Sequence, residues 1–175
     1  MDREYYVFVD AETDGLYGRF LTVAMLILNR EMKEIERRYL GVKKENLIVT
    51  DKWTKAHVLP VIGGYEEVED EKQLLEKTWN IWMKYAEHAY AVADVCYPVE
   101  CRLFQKCVEL NRVERMFHAP YPLVDLSSLL LAKGIDPLKN RKELVHNIGE
   151  EQTHNAMYDV ELMVMIWKKI FAKER

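Results

Sequence analysis

Apolar, aromatic and β-branched side chains follow one another from Tyr5 to Val9 and stop at Asp10. An unbroken run of this kind predicts a strand buried on both faces. A second such run covers 20–28. Asn29-Arg30-Glu31 then reads as a turn into a third strand, 35–42, whose loose alternation fits a place near a sheet edge. Three sequential strands with short links predict an antiparallel meander. Residues 43–69, with Pro60 and Gly63-Gly64 near their end, show no clear period and read as irregular surface structure carrying Trp53 and His57.

The period changes at Asp70. Leu74, Leu75, Thr78, Trp82, Tyr85, Ala86 and Ala89 recur at helical spacing, so 70–88 predicts a helix. The run 90–93 follows, a strand reached by crossover and therefore parallel to an earlier one, and it ends at Asp94. Pro98 suits the first turn of a helix reaching residue 112. Pro120 and Pro122 bracket a loop before a short strand, Leu123-Val124. Asp125 is placed to cap a helix over 126–133, which Gly134 ends. Asp136-Pro137 opens a loop with the basic residues Lys139, Arg141 and Lys142. A final helix, 155–173, carries the stripe Ala156, Val160, Met163, Val164, Trp167, Ile170 and Phe171. Asp159 lies on the flank of that stripe, where an ionised carboxylate needs a partner. His154 stands just before the helix.

Composition narrows the class. A chain of 175 residues with 49% hydrophobic residues fits one globular domain, 1–175. No apolar run approaches a membrane span, and Asp2, Arg3 and Glu4 do not resemble a signal peptide. Cys96, Cys101 and Cys107, odd in number and without a CxxC pair, suit reduced thiols and a cytoplasmic setting. The net charge of −4 argues against a binder of nucleic acid that relies on broad electrostatic attraction. Any nucleic acid is gripped locally, or a metal supplies the positive charge.

The chemistry gathers on four acids. Asp10 and Glu12 are two apart after the first strand, so extended geometry turns both to one side. A solvated acidic turn is the plain reading of that pair; a divalent cation held by hard oxygens is the other. Asp94 ends a second buried strand, and ligands bind α/β sheets at the carboxyl ends of strands. With Asp159 these make an oxygen-rich set suited to Mg²⁺ or Mn²⁺. Two such ions about 4 Å apart activate water and stabilise the leaving oxygen of a phosphodiester. His154 is then placed to take a proton.

These residues resemble the DEDDh 3′–5′ exonucleases, the DnaQ-like and RNase T-like group of the ribonuclease H-like superfamily. The motif Asp-x-Glu-Thr-x-Gly-Leu is matched by Asp10, Glu12, Thr13, Gly15 and Leu16. The second-motif Asp is matched by Asp94, and His-x-Ala-x-x-Asp by His154, Ala156 and Asp159. The sister group's Tyr would fall at Asn155. The resemblance implies a five-stranded mixed sheet, three strands antiparallel and two parallel, flanked by helices. It implies two Mg²⁺ or Mn²⁺ ions on Asp10, Glu12, Asp94 and Asp159, with His154 as general base. Thr13, Gly15 and Leu16 would meet substrate, Leu16 as a wedge against the terminal base, where core packing is its plain alternative. The implied activity releases nucleoside 5′-monophosphates from single-stranded 3′ ends, alone, as a homodimer or within a protein complex. No motif reads a 2′-OH, so DNA and RNA both stand.

One stretch departs from the family. Asp94-Val95-Cys96-Tyr97-Pro98-Val99-Glu100 replaces the Asn-x-x-Phe-Asp type of segment. Glu100 is a reserve ligand here, or an exposed helix residue. Lys139, Arg141 and Lys142 contact phosphate or form a solvated loop. Trp53 packs locally or stacks on a base. His146-Asn147 imitates His154-Asn155 but lacks the Ala-x-x-Asp that follows. His57, His88 and His118 have no acid at a telling spacing. Two rivals remain: a non-catalytic adaptor keeping the fold as a binding surface, and a trimming nuclease for RNA maturation or CRISPR adaptation.

Overall fold

A computed structural model describes residues 3–145 and 154–171. His146-Asn147 and the end of the expected last helix at Lys173 lie outside them.

The expected meander is present: β1 (Tyr5–Thr13), β2 (Phe20–Asn29) and β3 (Glu34–Val42) pair antiparallel in sequence order. β1 pairs parallel with β5 (Ala89–Ala93) over Tyr5–Phe8, and β5 pairs parallel with β6 (Leu123–Asp125). Among the described residues the sheet has six strands rather than five, in the order β4-β3-β2-β1-β5-β6. The added strand, β4 (Glu66–Val68), runs parallel to β3 inside the stretch expected to be irregular. That stretch also holds helix α1 (Lys52–His57), capped by Asp51. Val58 and Ile62 pack it onto Leu21 of β2. A six-residue helix and a three-residue strand are too short for a period to show.

Helices cover both faces. α2 (Glu71–Met83) and α3 (Val99–Glu109) bury Leu74, Trp82, Leu103 and Phe104 against Val7 and Val9 of β1. A short α4 (Arg112–Arg115) follows. On the opposite face α5 (Leu126–Ala132), capped by Asp125, and α7 (Ala156–Phe171) pack Leu126, Val160, Met163 and Trp167 on Phe8, Ala24 and Leu26. Between them lies α6 (Arg141–Leu144). Strand alternation does the sorting. Val7, Val9 and Ala11 face α2 and α3, so Phe8, Asp10 and Glu12 face α7. Among the described residues no helix is long and apolar enough to cross a membrane. The described cysteines are free, Cys96 and Cys107 buried and Cys101 exposed.

Candidate active site

The site forms where β1 outlasts its neighbour. β5 pairs with β1 only as far as Phe8↔Val92, while β1 runs on to Thr13 along β2. The α7-facing positions beyond that point are Asp10 and Glu12. α7 presents Asp159 in its first turn. One carboxylate oxygen from each of Asp10, Glu12 and Asp159 lies within 4.8 Å of the others. Asn155 caps α7, its Oδ1 accepting from the N–H of Met157 at 3.2 Å and of Tyr158 at 3.3 Å. The partner that Asp159 requires is partly supplied by the His154 backbone N–H, which donates to Oδ2 at 3.2 Å. His154 holds φ at 70°, a left-handed conformation that His, like Asn and Asp, adopts more readily than other non-glycine residues.

A fourth carboxylate enters from α3. Glu100, expected to be an exposed helix residue if not a ligand, is 3% exposed. Its carboxylate accepts from the N–H of Ala11 and from its own. Glu100 shares the buried stripe of Leu103, Phe104 and Cys107, a spacing legible in the sequence. Burial and mutual repulsion set the electrostatics. Burial first, then Glu100, Asp159, Glu12 and Asp94, hold the Asp10 carboxyl well above its ordinary value. Burial and Asp159 push Glu12 up to about 8. Burial pushes Glu100 to about 8 against its two N–H donors. Burial raises Asp159 to about 7, with Asp94 adding and the His154 N–H and Lys142 opposing. Four packed carboxyls that resist ionising are a site short of positive charge.

Asp94 is engaged differently. It repels Asp10, Glu100 and Asp159, so it stands at the edge of the cluster. Its carboxylate, however, takes a two-pronged contact from Arg141, Nε to Oδ2 at 2.5 Å and Nη2 to Oδ1 at 2.9 Å. Arg141 is therefore no solvated loop residue, and nothing in the sequence spacing marks it. Val95, next to Asp94, holds φ at 54°.

The loop after β1 is fixed from α1. The Asp14 carboxylate accepts from the backbone of Thr50 and Asp51 and from the Thr50 hydroxyl at 2.8 Å. The Gly15 N–H donates to Thr54 Oγ1 at 2.9 Å, and Thr13 Oγ1 donates to the Gly15 carbonyl at 2.6 Å. Gly15 has φ +65°, and a Cβ on Gly18 would meet the Asp14 carbonyl at 1.9 Å, so both glycines are required. Arg102 donates to the carbonyls of Leu16, Tyr17 and Gly18. Thr13 is buried, but Leu16 is 61% exposed, so core packing does not explain it. Trp53, on α1, is half-exposed; it stacks on His57 at 4.8 Å and sets its ring edge-on to His154 at 4.7 Å. Nothing in the sequence pattern places His57 near His154. Burial, His57 and Lys142 keep the His154 imidazole below its ordinary pKa.

No protein-family model matches the chain, and no curated protein matches it by sequence. The solved structures do. The fold is shared with part of exonuclease I. The zinc-bound E. coli exonuclease I complex with single-stranded DNA aligns with 98% of this chain and 41% of its own, at TM-score 0.72 and 14% identity. A product-bound exonuclease I gives 0.64 and 13%, over 97% and 44%. A complex of ExoI with SSB-Ct gives 0.59 and 12%, over 98% and 42%. The chain thus spans about two fifths of the length of these exonuclease I chains.

Proposed function

We propose that residues 1–175 act as one metal-dependent 3′–5′ exonuclease domain that releases nucleoside 5′-monophosphates from single-stranded ends. One observation carries the reading: Asp10, Glu12 and Asp159 converge within 4.8 Å inside an exonuclease I fold, with their carboxyls pushed above the ordinary range. A divalent cation relieves that repulsion, and an all-oxygen donor set suits Mg²⁺ or Mn²⁺. Asp10, Glu12 and Asp159 would hold the first ion, and Asp94 with Asp10 a second. When bound, such ions activate the attacking water and stabilise the leaving oxygen. The protein's own residues do the rest. His154, its imidazole kept below its ordinary pKa first by burial and framed by Trp53, takes the proton. Leu16, exposed at the lip on a loop clamped by Thr54 and Arg102, separates the terminal base from the next. The neutral Trp53 face offers a base a stacking partner.

The test is hydrolysis of end-labelled single-stranded DNA, RNA and short oligonucleotides. Stepwise loss of mononucleotides from the 3′ end with Mn²⁺ or Mg²⁺, abolished by EDTA, is the expected result. Cutting of closed circular single strands, or full activity in excess EDTA, overturns the reading.

A further inference from the structure

We propose that Arg141 is a built-in counter-ion that keeps Asp94 out of the metal centre until a nucleic-acid phosphate takes the guanidinium away. The inference rests on the metal-dependent reading above and names the regulation of that site. Three carboxylates stand together within 4.8 Å, and that group of Asp10, Glu12 and Asp159 does not include Asp94. Both oxygens of Asp94 are instead occupied by the Arg141 fork, at 2.5 and 2.9 Å, in a pair largely screened from solvent. A cation approaching Asp94 must compete with a charge already seated there. Arg141 is also held in place: its Nη1 donates to the carbonyls of Pro137 at 2.8 Å and Lys139 at 2.7 Å. Nη1 can keep those carbonyls while the Nε–Nη2 edge, now on Asp94 at the margin of the cluster, changes acceptor.

A phosphate matches that edge as well as a carboxylate does, and Arg binds both in the same two-pronged way. A terminal phosphodiester entering beside Asp10 and Glu12 meets Arg141 at the margin of the site. Exchange of acceptor from carboxylate to phosphate frees Asp94 beside Asp10, where repulsion favours a cation. The resting site therefore takes one divalent ion, and the second loads together with the phosphate. By linkage, phosphate and second ion each raise the other's affinity by the same factor. Asp94 then serves two states: a seat for Arg141 without substrate, and a cation ligand with it.

The experiment is calorimetric titration of the full chain with Mn²⁺, with and without adenosine 5′-monophosphate. Wild type alone is expected to take one ion per chain, and a second when the nucleotide is present. Arg141→Gln is expected to take two ions without nucleotide, and to lose most of the nucleotide-dependent gain, a change of about tenfold or more in second-ion affinity. Arg141→Lys, which keeps the charge but not the fork, is expected to fall between them. Circular dichroism checks folding; should Arg141→Gln not fold, Arg141→Lys carries the comparison. Two ions on nucleotide-free wild type, or an Arg141 variant with unchanged stoichiometry and unchanged response to nucleotide, overturns the inference. Absence of any Mn²⁺ binding to wild type overturns the metal-dependent reading itself, and this inference with it.

Discussion

Replacing Asp10 or Asp159 by Asn removes a charge from a crowded carboxylate cluster with little change in size. Each should lower turnover by orders of magnitude, because a cation ligand is lost. In EDTA at pH 8 each should leave the fold as stable as wild type or more so, because repulsion with Glu12 and Glu100 falls. Paired turnover and melting measurements check this; near wild-type activity in either variant removes that residue from the site. His154 should separate from the acids. Its contact with Asp159 comes from the backbone N–H, which His154→Ala keeps. The variant should retain Mn²⁺ affinity while turnover drops by roughly a hundredfold or more. Wild-type single-turnover rates should rise with pH around a midpoint below the usual histidine value of about 6.5, since burial and His57 pull the imidazole down. Joint loss of metal binding and activity in His154→Ala makes it a ligand or a structural residue.

At the scale of elements, the loop bearing Gly15 and Leu16 is tied to α1 by the Thr54 hydroxyl as well as by the Asp14 carboxylate. Thr54, 1% exposed, accepts from the Gly15 N–H and donates to the Thr13 carbonyl at 3.3 Å. Thr54→Val keeps the shape and strands both groups, so it should cost about 1–3 kcal/mol in denaturant unfolding. Because Leu16 is then less fixed, KM for single strands should rise more than kcat falls. A change confined to stability would leave α1 a scaffold with no part in substrate binding. This dependence was hidden from sequence, although the elements on either side were not. β1, β2, α2 and α7 are long and strongly patterned, so their periods show. The α1–β4 stretch owes its structure to contacts with Leu21 and β3 that no local period encodes. The same division runs through the site. Asp10, Glu12 and Asp159 were legible because strand alternation and a helix flank fix their directions. Glu100 was half legible, on a buried stripe read as exposed. Arg141 was named for its charge alone; its pairing with Asp94 was not legible, since 47 positions separate the two.

On the whole-molecule scale, proton uptake by the carboxylate cluster should govern stability wherever divalent ions are absent. In the folded chain Glu12 and Glu100 titrate near 8 and Asp159 near 7, and Asp10 is also raised. In the unfolded chain such groups titrate near 4. Between these values the folded state binds more protons than the unfolded one, so stability falls as pH rises from about 4.5 to about 8. Carboxylates pulled down by partners act in the opposite sense but lower on the scale. Asp14, with its donors from Thr50 and Asp51, and Glu36, lowered to about 2 by Tyr85, Arg38 and Lys84, lose their contribution only as pH falls toward those values. His154, lowered, adds some stability as pH rises toward 6.5, one group against four. The metal-free chain should therefore melt highest near pH 5 and lose stability steadily to pH 8. A bound cation replaces the protons, so Mn²⁺ should flatten that decline and stabilise most at the alkaline end, releasing protons as it binds. Melting curves from pH 5 to 8.5 in EDTA and in Mn²⁺ measure both arms. An EDTA curve that stays level or climbs to pH 8 would mean that the four carboxyls do not share a desolvated site. Parallel curves with and without Mn²⁺ would mean that the cation binds elsewhere.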